Sequence, residues 1–333
     1  MKRYGNLFDQ CFSIENLFQA YLIARKGKRK KRACFEFEKN LGVNLTKLRE
    51  EILTDRYKPR PYFKFVVHEP KQRIIQAPAF RDVIVQHAIY RIIYPIFDQT
   101  FIDTNFACRK NKGTHKCANY VQKSMRQCSN DNYILHLDIK KFFYSIDHDI
   151  LFELVKRKIK DFQLLKIIDL FIHYDEKLGI PIGNLLSQLF ASIYLNPVDH
   201  WIKRTLKVQY YTRYVDDIVL IGLTLDQAKN FKYQIEKFIH QNLNLTLSKS
   251  SIMLVKKGLN FVGYRTWRSR RFVRKHSIYK FNKVLKQNKI TNLTSTLACA
   301  LNTSTFNYYL QRINKENPKL LSLSIVRKNN AHF

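Results

Sequence analysis

Residues 211–222 read YTRYVDDIVLIG, with two adjacent aspartates, Asp216 and Asp217, inside an aromatic and β-branched run. The chain has only 26 Asp and Glu against 59 Lys and Arg, so two acids side by side in a strand-forming stretch demand a reason. Neighbouring side chains on a strand point to opposite faces. The two carboxylates converge only if they occupy the tight turn of a hairpin, with residues 210–214 as one arm and 218–221 as the other. There they repel each other, and burial against low-dielectric strands adds a desolvation cost. A divalent cation removes both penalties. Oxygen-only ligands point to Mg²⁺, which is commonly held by few carboxylates and completes its shell with substrate phosphates.

Asp138 supplies a third carboxylate at the end of YILHLD (133–138), just before the chain turns. A strand-end Asp with a hairpin Asp pair is the minimum for two-metal phosphoryl transfer. One ion activates an attacking 3′-hydroxyl and the other steadies the leaving pyrophosphate. Alone, Asp138 reads as a helix cap or turn residue, and the pair reads as an ordinary Asp turn. Together, in a strongly basic chain, they read as a catalytic site.

The chain has 333 residues and a formal net charge of +33, with 45% hydrophobic and 14% aromatic residues. That is enough apolar matter for a sizeable core, which excludes a basic disordered tail. The charge favours a polyanion, foremost nucleic acid, with a ribosome-associated or membrane-surface protein as the bland alternative. Aromatic rings add stacking surfaces suited to single strands. The stretch MKRYGNLFDQCFSIENLF has no apolar signal core, and no run approaches bilayer length, so a cytoplasmic location is expected. The cysteines form no C-x-x-C pair, and Cys108, His115 and Cys117 fit no usual zinc spacing. Reduced cytosolic thiols are the simpler reading.

Ser13 is placed to cap a helix with an apolar face of Leu17, Phe18, Tyr21 and Leu22. The charge block RKGKRKKR (25–32) suits a phosphate backbone, with a nuclear localisation signal or a solvated loop as other readings. YFKFVVHEPKQRIIQAP (62–78) alternates on either side of EPKQ, which predicts a β-hairpin with Lys71 and Arg73 near its tip. Helical periodicity over 80–97 is interrupted at Pro95. Asp147 is expected to cap a helix carrying Ile150, Leu151, Leu154 and Val155. GIPIGN (179–184) reads as a turn-rich loop, Ser187 as the opening of a helix, and Asn196–Pro197 as a break and a new start. An amphipathic helix is expected over 223–243 and a strand pair over 259–267. The irregular alternation predicts an α+β fold with a mainly antiparallel sheet. A main unit over 1–267 and a small, basic, helical unit over 268–333 are expected.

YVDD has the form Y-x-D-D and resembles the catalytic hairpin of reverse transcriptases. Further motifs follow in the family's order. LDIKKFFYSID (137–147) resembles the first catalytic strand, GIPIGNLLSQLFASIYLN (179–196) the loop and helix beneath the nucleotide, and LNFVGYR (259–265), with Gly263, the primer grip. KQRIIQAP (71–78), RDVIVQHAIYRIIYPIF (81–97) and ACRKNKGTHK (107–116) resemble finger segments of the group II intron and retroelement branch. The resemblance implies a right-hand polymerase of fingers, palm and thumb, with an antiparallel palm sheet and the C-terminal helices as thumb. IGNLLSQ (182–188) narrows it. Most reverse transcriptases carry Gln where this chain has Ile182, and I-G-x-x-x-S-Q resembles diversity-generating retroelement reverse transcriptases. Leu186 departs from that pattern, which usually has a small hydroxyl residue there. Antiphage-defence reverse transcriptases share related motifs. The implied activity is adenine-mutagenised cDNA synthesis from dNTPs on a structured non-coding RNA template. The implied partners are an RNA–DNA hybrid and a basic oligomeric (pentameric) accessory protein, with no membrane. A defence polymerase making repetitive or self-primed cDNA and a non-catalytic RNA-binding scaffold are rival readings.

The resemblance further implies metal ligation by Asp138, Asp216 and Asp217 with the backbone carbonyl of Ile139, holding two Mg²⁺ ions for which Mn²⁺ can substitute. Phe143 falls at the position of the steric gate that excludes a ribose 2′-hydroxyl, unless Phe142 is the exposed ring and Phe143 is core. Lys71 and Arg73 either clamp the triphosphate or sit on a solvated tip. Ile182 and Gly183 approach the nucleotide, the glycine allowing close backbone contact. Tyr214 packs beside primer or template. Ser187 and Gln188 are template contacts or cap residues. Arg109, Lys112 and His115 lie in a segment that touches RNA in relatives. Lys249 either assists pyrophosphate departure or is an ordinary exposed lysine.

Overall fold

Alternation along Tyr133–Ile139 decides what each face of the central sheet meets. Leu135, Leu137 and Ile139 enter the main core, while Ile134 enters a second, smaller one on the opposite face. His136 and Asp138, two and four residues on, share the face of Ile134. The computed structural model that carries this sheet describes residues 2–68, 72–174, 178–287, 290–316 and 318.

The N-terminal part is helical, with α1 (Phe8–Phe12), α2 (Ile14–Ala24), α3 (Arg32–Lys39) and α4 (Leu41–Leu53). Ser13 caps α2 as expected, its hydroxyl accepting from Asn16 N at 3.1 Å. Phe18 is exposed rather than part of the buried face, which Ala20 and Ala24 complete with Leu17 and Tyr21. Next come the antiparallel strands β1 (Phe63–Val67) and β2 (Arg73–Ala77), paired from Phe63↔Ala77 to Val67↔Arg73. Helix α5 (Phe80–Asp98) does not stop at Pro95. Pro95 and Arg91, whose carbonyl loses its i+4 partner, both lie on the exposed side, where water can serve that carbonyl, while Ile93 and Phe97 stay buried.

The middle of the chain holds α6 (Thr114–Arg126), β3 (Tyr133–Ile139), α7 (Phe142–Ser145), α8 (His148–Lys156), α9 (Phe162–Ile172) and α10 (Leu185–Arg204). Asp147 caps α8, accepting from Ile150 N at 3.1 Å. Helix α10 opens at Asn184, whose side chain accepts from Leu186 N at 3.1 Å. Ser187, expected at the helix start, is instead buried within the first turns. Nor does the helix break at Asn196–Pro197, because Phe190 and Tyr194 before the proline and Val198 and Ile202 after it fill one core. There follow β4 (Tyr210–Tyr214), β5 (Asp217–Leu223), α11 (Leu225–Leu243) and β6 (Leu247–Leu254). A Thr224–Gln227 capping box starts α11.

The sheet order is β4-β5-β3-β6, antiparallel throughout. The fold is the expected mixture of helices with an antiparallel sheet. Helices α8, α10 and α11 bury its one face in the main core. On the other face, α6 contributes Cys117, Val121 and Met125 over Ile134, Val219 and Ile221. A second sheet, β7 (Leu259–Phe261), β8 (Tyr264–Thr266) and β9 (Arg271–Val273), joins that smaller core. Helices α12 (Lys275–Lys286), α13 (Ile290–Ala300) and α14 (Thr305–Glu316) build a third cluster with Tyr264 and Val273. Because β9 pairs with β8, a division at 267/268 falls inside this sheet. No helix among the described residues is long and apolar enough to cross a membrane.

Candidate active site

Strand register brings the carboxylates together. Tyr214 pairs with Asp217, Asp217 with Asp138, and Asp138 with Lys249, one row across β4, β5, β3 and β6. Directly opposed residues project from the same face. A phenol, two carboxylates and an ammonium therefore line up at the end of the face that α6 leaves uncovered. Asp217 opens β5, so the turn proper is Val215–Asp216, one residue shorter than the sequence predicts. Val215 sits at φ +58°, a left-handed conformation that β-branched residues rarely adopt. The turn is held from below. Arg213 Nη1 donates to the Val215 carbonyl at 2.8 Å, and its Nε and Nη2 meet Asp199 at 2.7 and 2.6 Å. The Tyr211 hydroxyl also donates to Asp199, at 2.5 Å. Arg213 and Asp199 are fully buried, so this pair is a rigid anchor for the turn.

Two further neighbours orient the carboxylates, and a sequence-level reading misses both. His136 Nε2 lies 3.0 Å from Asp217 Oδ1, and its ring stands edge-on to Phe261 at 5.8 Å. The Ser248 hydroxyl donates to the Asp138 carboxylate. Each is a polar residue on a strand, which resembles any solvent-facing position until the register is known. Asp216 carries the strain of the site. Burial first, and then the charges of Asp217 and Asp138, push its carboxyl up to about 6. A backbone hydrogen bond and the Arg73 guanidinium pull the other way. Arg73, on β2, is thus within electrostatic reach of Asp216. Lys71 lies outside the described residues.

The 179–184 loop ties the site to its surroundings. Gln76 N on β2 donates to the Ile182 carbonyl at 3.0 Å, and Ile180 N donates to the Phe143 carbonyl at 2.8 Å. Gly183 has φ +103°, and a Cβ there would stand 2.8 Å from Ile75 Cγ2, so only glycine fits between loop and strand. Asn184 Nδ2 donates to the Tyr62 hydroxyl at 2.8 Å. Phe142 is buried and Phe143 half-buried, so of the two rings Phe143 is the more accessible.

Other residues singled out in the sequence are distributed differently. Ile139 is buried in the core. Gln188 and Lys249 are exposed, and Tyr214 is half-buried. Gly263 sits in the β7–β8 turn at φ +90° with open space around it. Arg109 is not a free cation for RNA. Its guanidinium is largely buried, with Nε on Asp98 at 2.7 Å and Nη1 on the Ile102 carbonyl at 2.8 Å. Lys112 is likewise engaged, by the Asp103 carbonyl at 2.8 Å and its carboxylate at 2.5 Å. His115 Nδ1 lies 3.1 Å from the Tyr264 hydroxyl, which donates to the Cys299 carbonyl at 2.9 Å. These three brace the scaffold.

Residues 66–266, more than half of the chain, match the family described as reverse transcriptase (RNA-dependent DNA polymerase). The chain belongs to the reverse transcriptase family. This reverse transcriptase is 25% identical to protein YkfC of Escherichia coli (strain K12) over 317 residues, 78% of this chain and 80% of YkfC. It is 22% identical to the group II intron-encoded protein LtrA of Lactococcus lactis subsp. cremoris over 296 residues, 66% of this chain and 49% of LtrA. The chain therefore spans only about half the length of that relative. A telomerase from Candida albicans, solved with a fragment of telomeric RNA, shares the fold at TM-score 0.51 and 10% identity, over 82% of this chain and 58% of that one. The architecture is the right-hand polymerase fold, and the activity of the family is that of an RNA-dependent DNA polymerase.

Reverse transcriptases use divalent metals, and the donor set here suits a hard cation. Carboxylate oxygens are the right ligands for Mg²⁺, and a carboxyl raised to about 6 by burial and then by its acidic neighbours is one that a cation would relieve. Among the described residues, no three His, Cys, Asp or Glu side chains stand close enough to enclose an ion unaided. Asp217 leans to His136 and Asp138 to Ser248. Sites that bind Mg²⁺ through one or two carboxylates together with substrate phosphates have this open character.

Proposed function

We propose that this reverse transcriptase extends a primer with deoxynucleotides on a structured RNA template, and that its copying is error-prone, as in diversity-generating retroelements. The observation that carries the chemistry is the registered row of Asp217, Asp138 and Lys249, with Asp216 in the adjoining turn and Arg73 within electrostatic reach of it. Asp138, Asp216, Asp217 and the Ile139 carbonyl would hold two Mg²⁺ ions, which supply activation of the primer 3′-hydroxyl and support for the leaving pyrophosphate. Arg73, with Lys71, offsets charge on the triphosphate. Lys249, beside Asp138, adds a cation where pyrophosphate departs. The Phe143 ring limits room at the sugar. Tyr214 and Gly263 border primer and template, and Gln188 the template strand.

The error-prone part rests on Ile182. Its carbonyl is bound by Gln76 N, and its side chain offers packing but no hydrogen bond to an incoming nucleotide. One net hydrogen bond is worth about 0.5–1.5 kcal/mol, roughly two- to twelve-fold in an equilibrium. Its loss weakens a correct nucleotide more than a mispair already displaced from the pose. The resemblance to diversity-generating enzymes assigns this effect to template adenine. The test is to copy a defined RNA with wild type and with Ile182→Gln and to sequence the cDNA. Fewer errors opposite adenine in the variant support the reading. Equal, low error rates in both refute it and leave an RNA-directed polymerase of ordinary fidelity.

A further inference from the structure

The loop that carries Ile182 and Gly183 is pinned at its other end by a residue outside the carboxylate site. His148, the first residue of α8, is buried, and its Nε2 lies 2.5 Å from the Gly179 carbonyl. A carbonyl only accepts, so Nε2 carries the proton and donates. The imidazole is itself fixed. It stands edge-on to His173, with ring centres 5.2 Å apart, and His173 Nδ1 is held by Asp169 Oδ1 at 2.6 Å.

Gly179 is where this support reaches the nucleotide pocket. Its φ is +90°, and a Cβ there would stand 3.0 Å from Tyr144 Cα and 3.2 Å from the Phe143 carbonyl oxygen. Gly179 N donates to the Ile146 carbonyl at 2.7 Å, and the next residue donates from Ile180 N to the Phe143 carbonyl at 2.8 Å. The backbone of the loop thus lies flat against the Phe143–Tyr144 turn. Three elements set its position: α8 through His148, the Phe143 turn through Ile180, and β2 through Ile182.

We propose that His148 is a positioning residue for sugar selection. By holding the Gly179 carbonyl it presses the 179–184 loop onto the Phe143–Tyr144 turn and so fixes how tightly the Phe143 ring closes against a ribose 2′-hydroxyl. The inference rests on the reading of Phe143 as the gate. Freed from His148, the loop lifts from the turn, the ring gains room, and ribonucleotides enter more readily. A purely structural role for His148 would lower both substrates' use together and leave their ratio unchanged.

The experiment is primer extension on an RNA template by the purified full chain, with kcat/KM measured separately for a dNTP and the matching rNTP. The dNTP preference should fall about two- to twelve-fold in His148→Leu, the range that one hydrogen bond allows. It should recover in His148→Gln, whose amide can donate from nearly the same place, and fall again in Gly179→Ala, which pushes the loop off Tyr144. Phe143→Ala is measured alongside. If Phe143→Ala lowers the preference while His148→Leu and Gly179→Ala leave it at the wild-type value, the inference is overturned and the gate reading stands. If Phe143→Ala changes nothing either, the gate reading falls and takes the inference with it. Should His148→Leu fail to fold, Gly179→Ala decides by the same two outcomes.

Discussion

Asp216 is the residue at which sequence and physics meet most directly. The Asp pair in a strand-forming run was expected in a turn, and a turn is there, at Val215–Asp216, with Asp217 already the first residue of β5. What could not be read was which neighbours the carboxylates choose. His136 and Ser248 act through cross-strand register, and register is a property of the folded sheet rather than of any window of sequence. Charge crowding at Asp216 has a consequence for stability. Its folded pKa of about 6 lies above the ordinary value of 3.8. The folded state therefore binds more protons than the unfolded one between those two values, and this group's contribution to stability declines as pH rises through that window. Asp216→Asn should accordingly raise the melting temperature of the metal-free protein above pH 6 in EDTA, and the advantage should shrink as pH falls toward 4. Thermal melts of both proteins across that range check it. A variant less stable than wild type at pH 7.5 would show that Asp216 is not crowded.

At the scale of elements, the hairpins and the amphipathic helix α11 were legible because their periods were clean. The two internal prolines were misleading. A proline weakens a helix locally, but burial of apolar residues on both sides of Pro95 and Pro197 outweighs one lost hydrogen bond. Ser187 looked like a cap by residue type, yet Asn184 takes that role and Ser187 goes inside. Arg109 was expected at RNA only from the resemblance, and no local pattern announces that its donors go to Asp98 and the carbonyl of Ile102. The β1–β2 pair gains its anchorage from the 179–184 loop, since an isolated two-stranded sheet is marginal. Gly183→Ala should break that docking, because the alanine is strained at φ +103° and meets Ile75. A loss of about 1–3 kcal/mol is expected from the strain, with KM for dNTP rising more than kcat falls. Unchanged stability and KM would mean that the loop and β2 do not act as a unit.

For the whole molecule, the net charge of +33 favours a polyanion, foremost nucleic acid, as partner. Each phosphate neutralised on single-stranded RNA contributes about −0.7 to the log–log salt slope, so a footprint of about six phosphates gives a slope of about −4. Filter binding or anisotropy from 50 to 300 mM salt measures it, and a flat dependence would assign the charge to something other than nucleic acid. The central claim, that the paired aspartates are the polymerising site of a reverse transcriptase, is tested most directly by Mg²⁺-dependent extension of a primer on an RNA template by wild type and by Asp216→Asn, each first shown to be folded and RNA-binding. Wild type should extend the primer, and the equally folded variant should fall to background. Extension by Asp216→Asn at the wild-type rate would contradict the account.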